Sequence, residues 1–238
     1  MKNFAIASAA FLLSCIGIAG CSTQPKTVPL TADQSTAKAR LDAQMQTAAQ
    51  TAQTYHAMDN ATLLGKLLDD SKAQREPFNS LAYRELKTRT DVDSKALVAL
   101  VNQNQNAGGL LPLLLLRKLD NKAYLAVPAQ TRAAILTNAL STSKYFNTWG
   151  LPNFYLEDAS HAMIEAGKSA VPALERMLSD TRLAPVFGSQ EAMISDQYNY
   201  RVCDYAYFFL QQIAGNAQLR LPQSPADRDA LIKKEAGK

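Results

Sequence analysis

Charge excess, histidine and cysteine are all scarce in this chain, and each shortage closes off a class of function. Twenty-five Lys and Arg stand against 21 Asp and Glu over 238 residues, a formal charge of +4. That excess is too mild to argue for nucleic acid. With 2 His and 3 Cys, few ligand sets remain for a zinc site, which takes three or four such residues. A phosphate-cradling glycine loop is missing, and Ser189, in Phe187-Gly188-Ser189-Gln190, lacks the Gly-x-Ser-x-Gly elbow of a nucleophilic serine. Alternating apolar and polar stretches bounded by hairpin turns are also missing, which removes sheet architectures. Together these absences predict an all-α protein that is not an enzyme and carries no cofactor and no metal.

What is present starts at the N-terminus. Met1-Lys2-Asn3 leads into an apolar stretch from Phe4 to Gly17, and Ile18-Ala19-Gly20-Cys21 closes it. A short positive start, an apolar run below the roughly 20 residues of a membrane span, and small residues at the end describe a signal peptide. The last four residues resemble the bacterial lipobox. The resemblance implies cleavage before Cys21 and lipidation of Cys21, so that residues 1–20 are a lipoprotein signal peptide. Ser22, rather than Asp, follows the cysteine, which implies sorting to the outer membrane, periplasmic face, in a Gram-negative cell. One acyl chain anchors only marginally, at about 0.8 kcal/mol per buried methylene, and several chains on one cysteine hold firmly. Cleavage takes only Lys2 from the charge balance, lowering +4 to +3. Cys15 leaves with the signal and Cys21 carries lipid, so Cys203 remains alone without a disulfide partner.

Residues 21–36 hold two prolines and little that can be buried, and read as the lipidated cysteine with a flexible tether. Residues 37–238 then form a single α-helical domain, long enough for a sizeable core. Leu41, Met45, Ala48, Ala52 and Tyr55 make a helical stripe, read as a first helix packing on its own domain or, alternatively, as a short coiled-coil seam. Leu63, Leu64, Leu67 and Leu68 follow the cap signal Asp59-Asn60. Glu76–Arg89 and Asp93–Asn104 carry further amphipathic patterns. After Gly108-Gly109, the run Leu110–Leu116 reads as a buried central helix with Pro112 in its first turn. Val127-Pro128 opens another helix.

The clearest internal pattern spans residues 154–180: a helix from Phe154 to Ala166, a turn at Gly167, and a second helix headed Ala170-Val171-Pro172-Ala173-Leu174. Gly permits the positive φ of a helix C-cap, and an early Pro forfeits no helical hydrogen bond. This pair resembles a HEAT-type repeat. Phe208–Gly215 ends a helix in the same way forty-eight residues on. The resemblance implies a HEAT-like α-solenoid of antiparallel helix pairs; the alternative is an irregular helical bundle.

Aromatics concentrate in two loops, Tyr145–Tyr155 and the insert Asp180–Tyr200, which face each other if the repeat units stack. Trp149, Phe154, Tyr198 and Tyr200 are the predicted anchors for a partner. The expected function is that of a lipid-anchored, non-catalytic protein-binding scaffold. It attaches to the membrane through Cys21 and holds an envelope protein or cell-wall component, not nucleic acid. The competing reading rests on Glu157, His161 and Glu165, spaced four apart on one helix with Asp158 beside them, as a metal-binding or hydrolytic centre.

Overall fold

The computed structural model describes residues 31–236; the segment expected to be a signal peptide, residues 1–20, and Cys21, the expected lipidation site, lie outside the described residues. The chain divides into two units, residues 1–47 and 48–238. Helix α1 (Ala32–His56) begins inside the segment assigned to the tether and buries none of its residues. Leu41 and Met45 are exposed, so the stripe is not a buried face there. Ala and Gln dominate this helix and offer little apolar area. In the second unit Tyr55 rests against the core.

The rest of the second unit is mostly helical. After α1 come α2 (Asn60–Lys72), α3 (Leu81–Leu86), α4 (Ser94–Gln103), α5 (Leu110–Leu119), α6 (Asn121–Ala126) and α7 (Ala129–Thr142). A two-stranded ribbon, β1 (Gly150–Leu151) and β2 (Tyr155–Leu156), separates these from α8 (Asp158–Ala166), α9 (Val171–Met177), α10 (Ser189–Tyr198), α11 (Val202–Ile213) and α12 (Pro225–Ala236). The predominantly helical class read from the sequence stands.

Two helices organise the core. Helix α5 packs on α2, α4, α6 and α7, and Leu111, Leu113, Leu114, Leu115 and Leu116 are all at most 1 % exposed. Each such leucine contributes about 1.5–3 kcal/mol relative to exposure. Helix α11 packs on α8, α9 and α12 and buries every residue from Val202 to Leu210. Gly167 ends α8 with φ +60° and Pro172 stands in the first turn of α9, as the sequence pattern requires.

Gly109 lets the turn before α5 approach α4 and α7. A Cβ there would collide with the Asn104 carbonyl oxygen and lie 2.9 Å from Ile135 Cδ1. Backbone cannot yield as a flexible side chain does, so Gly109→Ala is expected to cost about 1–3 kcal/mol. Urea unfolding should show a lower midpoint at unchanged slope; an unchanged midpoint would mean the turn relaxes freely.

Three local expectations need correction. The helix expected over residues 76–89 is broken, because Ser80 caps a new helix: its Oγ accepts the Tyr83 amide at 3.0 Å and donates to Asp70 at 2.7 Å. Phe78 is thereby left in a 3-10 turn, Pro77–Asn79, outside α3. The helix expected from Phe154 starts only at Asp158, because Asn153 takes φ +74° and turns β2 back on β1, with Gly150 opposite Leu156 and Leu151 opposite Tyr155. The insert 180–200 contains α10, whose sequence Ser-Gln-Glu-Ala-Met-Ile-Ser-Asp-Gln-Tyr carries no apolar stripe to betray it.

Candidate binding surface

The two aromatic loops do meet. The Phe146 amide donates to the Pro185 carbonyl at 2.9 Å. The Asn147 side chain then grips Phe187 through two hydrogen bonds, Nδ2 to the Phe187 carbonyl at 2.6 Å and the Phe187 amide to Oδ1 at 3.0 Å. An asparagine amide used this way imitates a peptide group and lets two irregular segments pair without a strand. The Asn153 side chain repeats the device, bonding both the carbonyl and the amide of Leu221 at 2.8 Å.

The clasp at Asn147 fixes an exposed aromatic patch. The Phe187 ring lies edge-on to Phe78 at 5.5 Å and to Tyr145 at 5.2 Å. All three rings are solvent-exposed, Tyr145 by 54 % and Phe78 by 47 %. Each comes from a different segment: the turn before α3, the loop after α7, and the loop before α10. Edge-on pairs of this kind add about 0.5–1.5 kcal/mol beyond burial, so the rings hold one another in place. In the sequence Tyr145 and Phe187 fall in the two aromatic loops, and Phe78 falls in the amphipathic pattern of residues 76–89. Their convergence had no signal in spacing.

The predicted anchors fall into two groups. Trp149 is 0 % and Tyr200 is 1 % exposed, which removes both from the surface. Trp149 Nε1 donates to Ser143 Oγ at 3.2 Å, and the Tyr200 hydroxyl donates to the Pro152 carbonyl at 2.8 Å. Buried polar tips find partners inside, and here they tie the ribbon down; the Tyr205 hydroxyl does the same to the Gly150 carbonyl at 2.6 Å. Phe154 is exposed and Tyr198 half-buried; their rings meet edge-on at 5.3 Å, with Tyr198 stacked on Tyr200 at 5.1 Å.

Beside the patch lies a cleft of ≈ 460 Å³ whose lining includes Phe78, Tyr83 and Tyr155. Helices α3 and α5 and the α3 C-cap contribute Arg84, Lys87 and Lys118 to it; Glu157, Asp158 and Glu191 come from the start of α8 and from α10. Asp158 is bonded to Arg117 at 3.3 Å. The three cations and the two glutamates form no ion pair among the described residues. Partial burial, then the Asp158 charge, raise the Glu157 carboxyl above its usual range. Burial likewise raises the Tyr83 hydroxyl. The cleft thus presents unpaired charge of both signs beside aromatic faces.

The triplet Glu157, His161 and Glu165 does not assemble. Arg117 takes Glu165 through two bonds, at 2.6 and 3.0 Å, and its hydrogen bond holds that carboxyl below its usual range. Glu157 lines the cleft just described, while His161 lines a separate hollow with Phe154 and Arg220. Among the described residues no group of three or more His, Cys, Asp or Glu is placed to hold a metal. Cys203 is buried, and burial pushes its thiol up to about 11, the opposite of an activated nucleophile.

No family model matches the chain, and no curated protein or solved structure matches it.

Proposed function

We propose that this protein is a lipid-anchored, periplasm-facing envelope lipoprotein that works as a non-catalytic protein-binding scaffold. In this reading residues 1–20 direct export, lipid on Cys21 holds the chain at the outer membrane, and the helical pairs form a HEAT-like frame. What supports that frame is the helix-on-helix packing of α4 with α5, α7 with α8 and α9 with α11; α8 and α9, the pair that carries the resemblance, are not among the main packings. The single observation that carries the binding role is the patch of Phe78, Tyr145 and Phe187, held exposed by the Asn147 clasp. Rigid aromatic rings insert into a partner at little entropic cost and dominate interface energies. The adjoining cleft suits a peptide segment bearing both a carboxylate and an amine, since each charge meets an unpaired opposite there. No helix among the described residues is long and apolar enough to cross a membrane; attachment in this reading is through the lipid on Cys21.

The test is photocrosslinking in intact cells with benzoylphenylalanine in place of Tyr145. We expect discrete adducts in the otherwise native chain and their loss on adding Phe78→Ser and Phe187→Ser. Each serine removes an exposed ring, so helical circular dichroism should not change. Adducts that persist unchanged in the double variant would overturn the proposal for this surface.

A further inference from the structure

One buried acid adjoins the patch, lining a hollow with Tyr145. Glu76 is 8 % exposed, although it immediately precedes Pro77 and the exposed Phe78. Its Oε2 finds no hydrogen-bond partner among the described residues. It lines a partly open hollow of ≈ 30 Å³ together with Trp149, Leu110, Leu111 and Ala139, room for roughly one or two waters. Its main-chain carbonyl accepts the amides of Asn79 at 2.9 Å and Ser80 at 3.1 Å. Those two bonds close the turn that holds Phe78 against Phe187. A carboxyl buried here is thus built into the mount of one patch ring.

The groups facing this carboxyl from each packed element are few. Arg75, which lines the hollow, is paired with Asp70 at 3.1 Å. The loop after α7 contributes Lys144 and Tyr145, both exposed, and the Thr148 backbone amide. From α11, Tyr205 feels the Glu76 charge, with its hydroxyl committed to Gly150. Helices α5 and α7 and the turn before α5 offer only apolar side chains there: Leu110, Leu111, Ala139 and Ala107. Among the described residues no cation is paired with the acid, so its uncharged form suits the site and its charged form does not.

We infer that Glu76 is a proton-operated switch on the patch: protonated, it seals the hollow and locks the Phe78 turn; ionised, it draws in water and loosens that turn. The consequence for partner binding rests on the patch being the binding surface, whereas the switch itself does not. Burial, opposed by the Thr148 amide, raises this carboxyl from 4.5 to about 7. A group whose folded pKa is raised contributes stability that is complete below its unfolded value. Here that contribution is lost as pH rises from 4.5 through about 7.

The chain's one tryptophan, Trp149, lines the same hollow and reports the event directly. Titrating the full chain from about pH 5 to 9, we expect a red shift in Trp149 emission that follows a single one-proton curve, with a midpoint near 7. Amide exchange at Asn79 and Ser80, corrected for intrinsic rates, should rise several-fold across the same range. Glu76→Gln should flatten both curves, while a His56→Gln/His161→Gln variant should leave them in place. The side-chain carboxyl ¹³C shift of Glu76 in the unsubstituted chain reads the titration without any mutation. A midpoint in the ordinary carboxylate range, or an emission transition that survives Glu76→Gln, would overturn the switch. The crosslinking result stands apart: adducts lost in the ring variants alongside a flat titration would leave the binding surface and remove its regulation.

Discussion

Replacing Asp204 by alanine is expected to cost about 3–5 kcal/mol, the range for stripping one partner from a buried ion pair. Asp204 and Arg228 are both 0 % exposed at the side chain, with Arg228 Nε 3.1 Å from Asp204 Oδ2. That nitrogen forms no well-aligned hydrogen bond, so the contact is an ion pair rather than a directed bond. The rest of the guanidinium is better served. It donates to the carbonyls of Tyr198, Asn199, Pro222 and Gln223 at 2.6–3.1 Å and lies 5.2 Å from the Tyr200 ring centre. Asp204 also caps α11, accepting the Arg201 amide at 2.9 Å. Removing it therefore strands a buried cation and uncaps the helix at once. An exposed pair such as Lys38–Asp42, about 60 % exposed on both sides, is worth only about 0.3–0.5 kcal/mol, so Lys38→Ala should barely register. Urea unfolding of Asp204→Ala, Arg228→Met and the double variant makes the check. We expect a coupling of about 0.5–3 kcal/mol, as for residues in one network, and little dependence on salt, because both charges are out of solvent. Strictly additive losses would mean the two side chains act independently.

The elements whose local chemistry and periodicity agree were legible in the residues. The leucines of α5, the Gly167 cap and the Pro172 start of α9 each follow from one helix turn and its neighbours. What escaped depends on partners far away in sequence. Ser80 breaks the helix expected over 76–89 partly because Asp70, on α2, receives its hydroxyl. The ribbon is held by hydroxyls of Tyr200 and Tyr205 on a later segment, and α10 lacks the stripe that advertises a helix. For the candidate surface, the meeting of the two aromatic loops was expected only on the condition that the repeat units stack. Which rings face outward was not legible: an aromatic-rich loop reads the same whether its rings bury or protrude. That choice is made by Asn147 and Asn153, whose side-chain amides pin backbone forty and more positions away.

Trp149→Ala separates a core role from an anchor role, and we expect it to lower stability by about 3–5 kcal/mol, as aromatic-to-alanine changes in cores do. The indole is 0 % exposed, lies 5.9 Å from the Phe209 ring on α11 and lends its N–H to Ser143. Its main-chain carbonyl accepts the Ser160 hydroxyl at 2.5 Å and the Glu157 amide at 3.3 Å. The substitution leaves these backbone bonds available and empties the space they surround. Neighbours fixed at both ends collapse poorly into such a space, which places the loss toward the upper part of the range. Trp149→Phe keeps most of the volume and should cost markedly less, leaving Ser143 Oγ its remaining bond to the Ala139 carbonyl at 2.8 Å. Urea unfolding of both variants gives the stabilities, and the Tyr145 photocrosslink gives the surface. Below the unfolding midpoint, Trp149→Phe should yield the same adducts as the native chain, whereas Phe78→Ser with Phe187→Ser abolishes them at near-native stability. If Trp149→Phe instead keeps its stability and loses the adducts, the indole touches the partner after all, and the 149–151 segment must open to bind it.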